Sequence, residues 1–342
     1  MSIILTVESC GPAVTLQDMG RAGFLAQGIT RGGAADILAL YEGAALLGQP
    51  VDLAALEMTG MGGSFKASGN LRIALTGAPM AATIDDQPIA WNASHALPAE
   101  SVLRIGGARS GTYGYLHVGG GFDTPVMMGA RGAHLSAGLG HALGAGDTLP
   151  VGADTGSVTG MALPADNRFD GGAIRIIASM QTEQFDDATR KRFTNTAFRR
   201  DARGNRMGVR MEHDGAPFVS ADQLTILSDV IVPGDIQIAG DGAPFVLMCE
   251  CQTTGGYPRI GTVLPCDMAR VAQAPAGAAL SFGFIPLDEA RIIEQRAAAF
   301  RTSLGSTVTP LVRDPYSIRD LLSYQLISGA ISATNSTLDT ED

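Results

Sequence analysis

Glycine punctuation constrains this chain more than any other feature. Gly accounts for 44 of 342 residues, about one in eight, and it cuts the apolar sequence into short runs. From about residue 50 to 160 those runs are strand-like and are separated by Gly, Pro, Asp or Asn. Leu71 to Leu75 is one run. Ala82 to Ile84, then Asp85-Asp86 and Pro88-Ile89, reads as a hairpin; Val102 to Gly106 with Tyr113 to Val118 reads as a second pair. No sustained helical period interrupts them. That rhythm belongs to a closed or nearly closed β-barrel.

Helices are few. Ala34 to Leu47 has a broad apolar face stopped by Gly48. Phe185 to Thr194 carries Asp186 and Asp187 in its first turn and Arg190 to Arg192 near its end, an order that suits the helix dipole. Leu287 to Leu304 places Ala290, Ile293, Ala297, Phe300 and Leu304 on one stripe, and Asp314-Pro315 starts a last helix to about Ile327. Strands are expected again from Gln223 to about Gly283. The polar, turn-rich stretch 160–172 marks a boundary. The expected domains are therefore 1–165, 172–305 and a helical, acidic extension over 306–342. Three phrases, at 98–106, 144–152 and 275–283, repeat a turn, a strand and a glycine. They read either as ordinary reuse of turns or as two similar barrels in tandem.

Charge narrows the function. Lys+Arg is 24 against Asp+Glu 34, a net charge of -10. That argues against nucleic acid or an anionic membrane as the main partner. No apolar run reaches the ~18 residues of a membrane span, and the first residues carry no basic leader. The expectation is a cytoplasmic protein with its four cysteines reduced. Only Lys66 and Lys191 are lysines, so positive charge is almost all arginine. There is no P-loop, Rossmann fingerprint or Gly-x-Ser-x-Gly elbow. Cys249-x-Cys251 with Cys266 lacks a fourth ligand at a recognisable spacing, so no metal is expected.

Two phrases carry chemistry. Gln252-Thr253-Thr254-Gly255-Gly256-Tyr257-Pro258 follows an apolar strand. Adjacent glycines let backbone N–H groups approach a ligand, and the hydroxyls and amide add neutral donors and acceptors. The same phrase would serve as a tight hairpin. Gln17, Asp18 and Arg21 occupy a Gly-flanked loop. An arginine there can clamp an anion, or simply pair with Asp18 and hold the loop. Asp36 stands at the first turn of the following helix. Arg131 and Arg206 are further Gly-flanked arginines.

These phrases, in this order, resemble the biotin-dependent carboxyltransferase family, also described as allophanate hydrolase subunit 2-like or KipA-like, which takes in the C subunit of bacterial 5-oxoprolinase. The matching text is Thr15-Leu16-Gln17-Asp18-x-Gly20-Arg21-x-Gly23, Gly33-Ala34-x-Asp36, Gly119 to Pro125, and Gly129-x-Arg131. In the second half it is Asn205 to Gly208, Pro233-Gly234-Asp235-Ile236-Gln237, and Gln252 to Pro258 with Asp267. The chain departs from the family at Gly32 and Ala35 of Gly32-Gly33-Ala34-Ala35-Asp36, at Gly204-Asn205, and at Ala130 to Ala133, where hydroxyls are missing.

The resemblance implies a mainly β fold of two tandem cyclophilin-like barrels with a few peripheral helices. It implies work with a B subunit (allophanate hydrolase subunit 1-like) as partner, and with a lactam-opening third subunit in 5-oxoprolinase. The substrate is a small amide, lactam or urea. ATP is used at the level of the complex, or carboxybiotin is carried on another protein. The expected catalytic residues are Arg21, Thr253, Thr254 and Tyr257. Gln17, Asp18, Asp36, Arg131, Arg206, Gln237, Gln252, Gly255 and Gly256 are expected to bind substrate. Three readings compete: a 5-oxoprolinase subunit, a carboxyltransferase component of a urea carboxylase-type system, and a non-catalytic regulator that binds a kinase inhibitor.

Overall fold

The computed structural model describes residues 2–220 and 227–312. Strands dominate. The α-helices among the described residues are α1 (Ile37–Leu47), α2 (Asp187–Asn195), α3 (Met268–Gln273) and α4 (Leu287–Ser303). None of these is long and apolar enough to cross a membrane.

In the first half, two sheets enclose one core. The six-stranded sheet runs in the order Thr148–Pro150, Ile4–Cys10, Gly63–Ala67, Val102–Ala108, Met80–Ile84, Gln87–Ile89. The seven-stranded sheet runs Thr15–Gln17, Ala55–Thr59, Tyr113–Val118, Leu71–Gly77, Ala93–Leu97, Met161–Ala162, Thr309–Pro310. The last of these brings the chain back to the first half after α4. Leu5, Val7 and Phe65 from one sheet meet Leu56, Ile73 and Leu116 from the other.

The second half is a closed seven-stranded barrel: Gly172–Ile177, Arg259–Val263, Asp235–Ile238, Pro244–Leu247, Gly208–Glu212, Phe198–Arg200 and Ala279–Phe284. A parallel pairing of Gly172–Ile177 with Ala279–Phe284 is part of the ring. Closure leaves no free sheet edge in the ring. Phe193 of α2 joins Phe198, Phe218 and Phe282 inside, with ring centroids 5.1–5.9 Å apart.

Two local readings change. Val102–Ala108 and Tyr113–Val118 do not pair with each other. The first lies between Gly63–Ala67 and Met80–Ile84; the second lies between Ala55–Thr59 and Leu71–Gly77, in the other sheet. Every residue of Tyr113–Val118 is buried, as a strand covered on both faces must be. The expected run of strands after Gln223 is also interrupted by α3. The hairpin of Met80–Ile84 with Gln87–Ile89 does form. Asp85 and Asp86 turn it with φ of 46° and 65°, the left-handed pair of a tight primed turn. The helix expected from Asp314, the acidic tail and Gln223 lie outside the described residues.

Asp36 caps α1 through Ala39 N, and Gly48 ends it at φ 62°. Within α1, Gly43 packs on the face of the His117 imidazole so closely that a Cβ would stand 2.3 Å from its Cε1 and Nδ1. His117 is buried, and its Nε2 meets Thr76 Oγ1 at 2.8 Å. The hydroxyl donates to Ala39 O, 3.0 Å away. It therefore accepts from the ring, which places a proton on Nε2.

Burial pushes the His117 pKa from 6.5 down to about 3. Below about pH 6.5 the unfolded chain takes a proton at this position that the native chain refuses. Stability therefore falls as pH drops, by about 2 kcal/mol between pH 7.5 and pH 5 from this residue. Denaturant unfolding of wild type and His117→Gln at the two pH values checks this. The variant should lose less stability on acidification by that amount; equal losses contradict the assignment.

Candidate functional site

The two halves meet over a buried polar network. Arg206, in the loop before the strand Gly208–Glu212, donates through Nη1 to Glu57 Oε1. It also donates to Glu250 Oε1 at 2.6 Å and to Gly33 O at 2.6 Å. Glu57 Oε2 accepts from Tyr115 Oη at 2.7 Å and from Ala35 N at 2.8 Å. Tyr115 Oη in turn accepts from Asp36 N. Asp36 is 0% exposed, and its Oδ2 accepts from Arg168 Nε and Gln273 Nε2, both at 2.8 Å. Arg168 closes the line with a bidentate pair to Glu42 at 2.7 and 2.8 Å. Gln273 of α3 also grips the backbone of Thr112 and Tyr113. Charges this deep hold only while every partner is present. Asp36 and Arg206 thus have their polar groups turned into the junction between halves.

Beside this network lies the loop that follows the short strand Thr15–Gln17. Asp18 and Arg21 form no ion pair. The Asp18 carboxylate instead accepts backbone N–H groups of Gly20, Arg131 and Gly132 at 2.6–3.0 Å. Gly132 is required there, since a Cβ would come 2.8 Å from Asp18 Oδ1. Arg21 is 2% exposed and spends one nitrogen, Nη2, on Gly132 O. Its Nε and Nη1 have no partner among the described residues, and neither does Gln17 Oε1. Burial lowers the Arg21 pKa, with Asp18 and Glu250 opposing that. Two buried donors and one buried acceptor are therefore left for something else.

His134 stands next to them. Its Nε2 lies 3.0 Å from Thr30 Oγ1 and its Nδ1 lies 3.1 Å from Ser136 Oγ. Glu250 Oε2 is 3.9 Å from Nδ1 and accepts from Ser136 N. Burial lowers the His134 pKa against the pull of Glu250, which favours the neutral ring. Thr30 reaches on to Cys251 O, tying the first half to the residue before the Gln252–Pro258 phrase.

That phrase sits at the rim of the barrel. Thr254–Gly255 pairs with Asp229–Val230 in a two-stranded ribbon, and Thr253 O accepts from Ile231 N. Gln252 and Thr254 are exposed, and Tyr257 is 44% exposed. Gln237, on a barrel strand, turns an unpartnered Nε2 toward Gly255, where a Cβ would stand 2.5 Å away. Gly255 serves close packing here rather than a left-handed turn, and neither Gly255 nor Gly256 has positive φ. The structure thus groups Gln17, Asp18, Arg21 and the backbone of Arg131 at one place. It groups Gln237 and Thr253 to Tyr257 at another. Glu250 and Cys251 are the chain link between them. The Arg131 guanidinium points elsewhere and pairs with Asp123 at 3.0 Å.

Glu57, His134, Glu250, Arg168 and Gln273 have no place among the sequence-derived site residues. A charged residue inside the apolar runs Ala55–Thr59 and Phe245–Cys251 was the available signal for Glu57 and Glu250. Burial raises the thiol pKa of Cys249 to about 11 and those of Cys251 and Cys266 to about 12, so all three stay protonated.

Between α1, α4 and the segment Pro265–Arg270 opens a cleft of about 940 Å³. Its floor includes Gly32, Ala34 and Cys249, which back onto the Arg21 loop.

The chain is thus a closed barrel joined to a two-sheet half through buried ion pairs, with a desolvated arginine at the seam. The chain belongs to the family "carboxyltransferase domain, subdomain A and B", whose model matches residues 27–284. It is similar to the 5-oxoprolinase C subunit of Escherichia coli (strain K12), 33% identical over 84% of this chain and 93% of that one. It is also similar to the 5-oxoprolinase C subunit of Haemophilus influenzae, 31% identical over 86% of this chain and 94% of that one. Among solved structures, TTHA0988 superposes with a TM-score of 0.76 at 26% identity, over 82% of this chain and 56% of its own length. The Kluyveromyces lactis urea amidolyase shares the fold, with a TM-score of 0.79 at 20% identity over 91% of this chain. This chain spans only 21% of that one.

Proposed function

We propose that this chain is the C-type subunit of a cytoplasmic, ATP-dependent 5-oxoprolinase, which opens the lactam of 5-oxoproline to glutamate. The observation that carries this is the similarity to two named 5-oxoprolinase C subunits over more than nine-tenths of their length. The chain works with a B-type subunit (allophanate hydrolase subunit 1-like) and a lactam-opening third subunit. ATP is consumed at the level of that complex.

The substrate is a lactam with a carboxylate, and charge builds on the lactam oxygen as the ring is attacked. Arg21 offers Nε and Nη1 to that carboxylate or developing oxyanion, in a dry setting where such contacts are strong. Gln17 Oε1 accepts from the lactam N–H. Thr253, Thr254 and Tyr257 orient the ligand from the rim, with Gln237, Gln252, Gly255 and Gly256 shaping that side. Asp18, Asp36, Arg131 and Arg206 hold the loops in place. A second reading, favoured by the family's carboxyltransferase description, is carboxyl transfer from carboxybiotin on another protein. The unpartnered donors of Arg21 fit a carboxyl group, and Gln17 Oε1 fits a ureido N–H. Carboxybiotin, when bound, supplies an activated carboxyl.

Arg21→Lys keeps charge but removes the guanidinium fork, and Thr254→Val keeps volume but removes the hydroxyl. Each should lower 5-oxoproline turnover by the assembled complex about tenfold or more, roughly 1.4 kcal/mol of transition-state stabilisation, with little change in melting temperature. Full activity in both variants, or loss that tracks unfolding, contradicts these residue roles.

A further inference from the structure

The cleft between α1 and α4 combines two features that rarely coincide by packing alone. One wall is apolar, built from Ile37, Leu38 and Tyr41 of α1 with Ile293, Ala297 and Phe300 of α4. The middle of the α4 stripe does not enter a core: Ala290 and Leu304 at its ends are buried, but Phe300 is 49% exposed. Around this wall stand arginines. Arg168 and Arg175 are more than offset by Asp36, Glu42, Asp166 and Asp267. Arg31, Arg270, Arg296 and Arg301 have no carboxylate partner among the described residues. Arg31 donates to Met19 O, Arg270 to Asn167 and Gly171, and Arg301 lies over the Tyr41 ring at 5.8 Å.

Six arginines stand here against the four carboxylates of Asp36, Glu42, Asp166 and Asp267, so the cleft is net positive by two charges in a chain whose net charge is -10. Charges of one sign in a cleft with apolar walls focus their field and raise the local concentration of the opposite ion. A volume near 940 Å³ suits a small organic molecule, not an isolated inorganic ion.

We propose that this cleft, which Arg21 does not line, binds a small organic anion, a carboxylate or phosphate on an apolar body. The apolar body lies along α1 and α4. The anionic head meets guanidinium groups, which take either oxyanion in bidentate fashion. The hydrogen bond from Gly32 N to Cys249 O, 3.1 Å, crosses the floor of the cleft on the side of the Arg21 loop. Binding here needs no reaction and does not rest on the 5-oxoprolinase reading.

Calorimetric titration of the full chain with phenyl phosphate and with phenylacetate tests it, with benzyl alcohol as the uncharged analogue. The expected result is one saturable site per chain for at least one anion, and none for the alcohol. The better-bound head group identifies the ligand as phosphate or carboxylate. The double variant Arg31→Gln/Arg296→Gln removes two exposed, unpaired charges and should keep the wild-type melting temperature. It should weaken binding at least tenfold, while Arg296→Lys alone weakens it less. Absence of saturable binding at millimolar anion overturns the proposal, as does equal binding by the double variant. So does a double variant that binds the anions normally but no longer co-purifies with the other members of the complex, which would make the cleft a protein-docking face.

Discussion

Arg206→Met should lower the stability of this protein by about 3–5 kcal/mol, the cost of removing one member of a buried ion cluster. The guanidinium holds Glu57 and Glu250, one from each half, and also caps Gly33 O. Its loss leaves two carboxylates 1% and 3% exposed without a guanidinium partner. They must then protonate, draw in water or push the halves apart. The same cluster supplies a control. Arg206→Met with Glu57→Gln and Glu250→Gln removes the stranded charges and should recover most of the loss, because burying no charge is often as stable as burying a paired one. Denaturant unfolding at pH 7 measures both. A single-variant loss under about 1 kcal/mol, or a triple variant no better than the single, contradicts this account of the seam.

Gly43→Ala should destabilise by about 3 kcal/mol, opposite in sign to the usual rule. In an exposed helix that change gains about 1 kcal/mol. Here the new methyl would press to 2.3 Å on the face of the His117 ring, which is buried and tied to Thr76. Relief requires moving α1 off Leu71–Gly77 and Tyr113–Val118, or ejecting a buried imidazole. Pairing Gly43→Ala with His117→Ser frees the space. The double variant should therefore be less damaged than the sum of the singles, a coupling of more than about 1 kcal/mol. Additive losses contradict the contact.

The sequence shows these features unequally. Asp85-Asp86 announces its hairpin because turn chemistry is local. Asp36 and Gly48 bound α1 for the same reason, although the helix starts at Ile37 rather than Ala34. Which strands are neighbours is not local. Val102–Ala108 and Tyr113–Val118 are close in sequence and belong to different sheets, while Thr309–Pro310 joins Met161–Ala162 across about 150 residues. The stripe on α4 is visible as a period, but a period does not say what covers it, and a cleft lies there instead of a core. At the candidate site, the loop of Gln17 to Arg21 stands out by its glycines. That Asp18 would face backbone N–H groups of Arg131 and Gly132, leaving Arg21 without a carboxylate, depends on a contact more than 110 residues away. Glu57 and Glu250 meet only through Arg206, so neither can be paired from its own neighbourhood.

The central claim is that this chain is an obligatory member of a lactam-opening assembly. Purified chain, its B-type partner and the lactam-opening subunit should be mixed with 5-oxoproline and ATP, and glutamate should be measured with each component omitted in turn. The account predicts glutamate formation only in the complete mixture, none from this chain alone, and recovery when it is added back. Undiminished turnover without this chain contradicts the account. So does turnover by this chain alone, or a complete mixture that is silent on 5-oxoproline but carboxylates an amide when a biotin carrier is supplied.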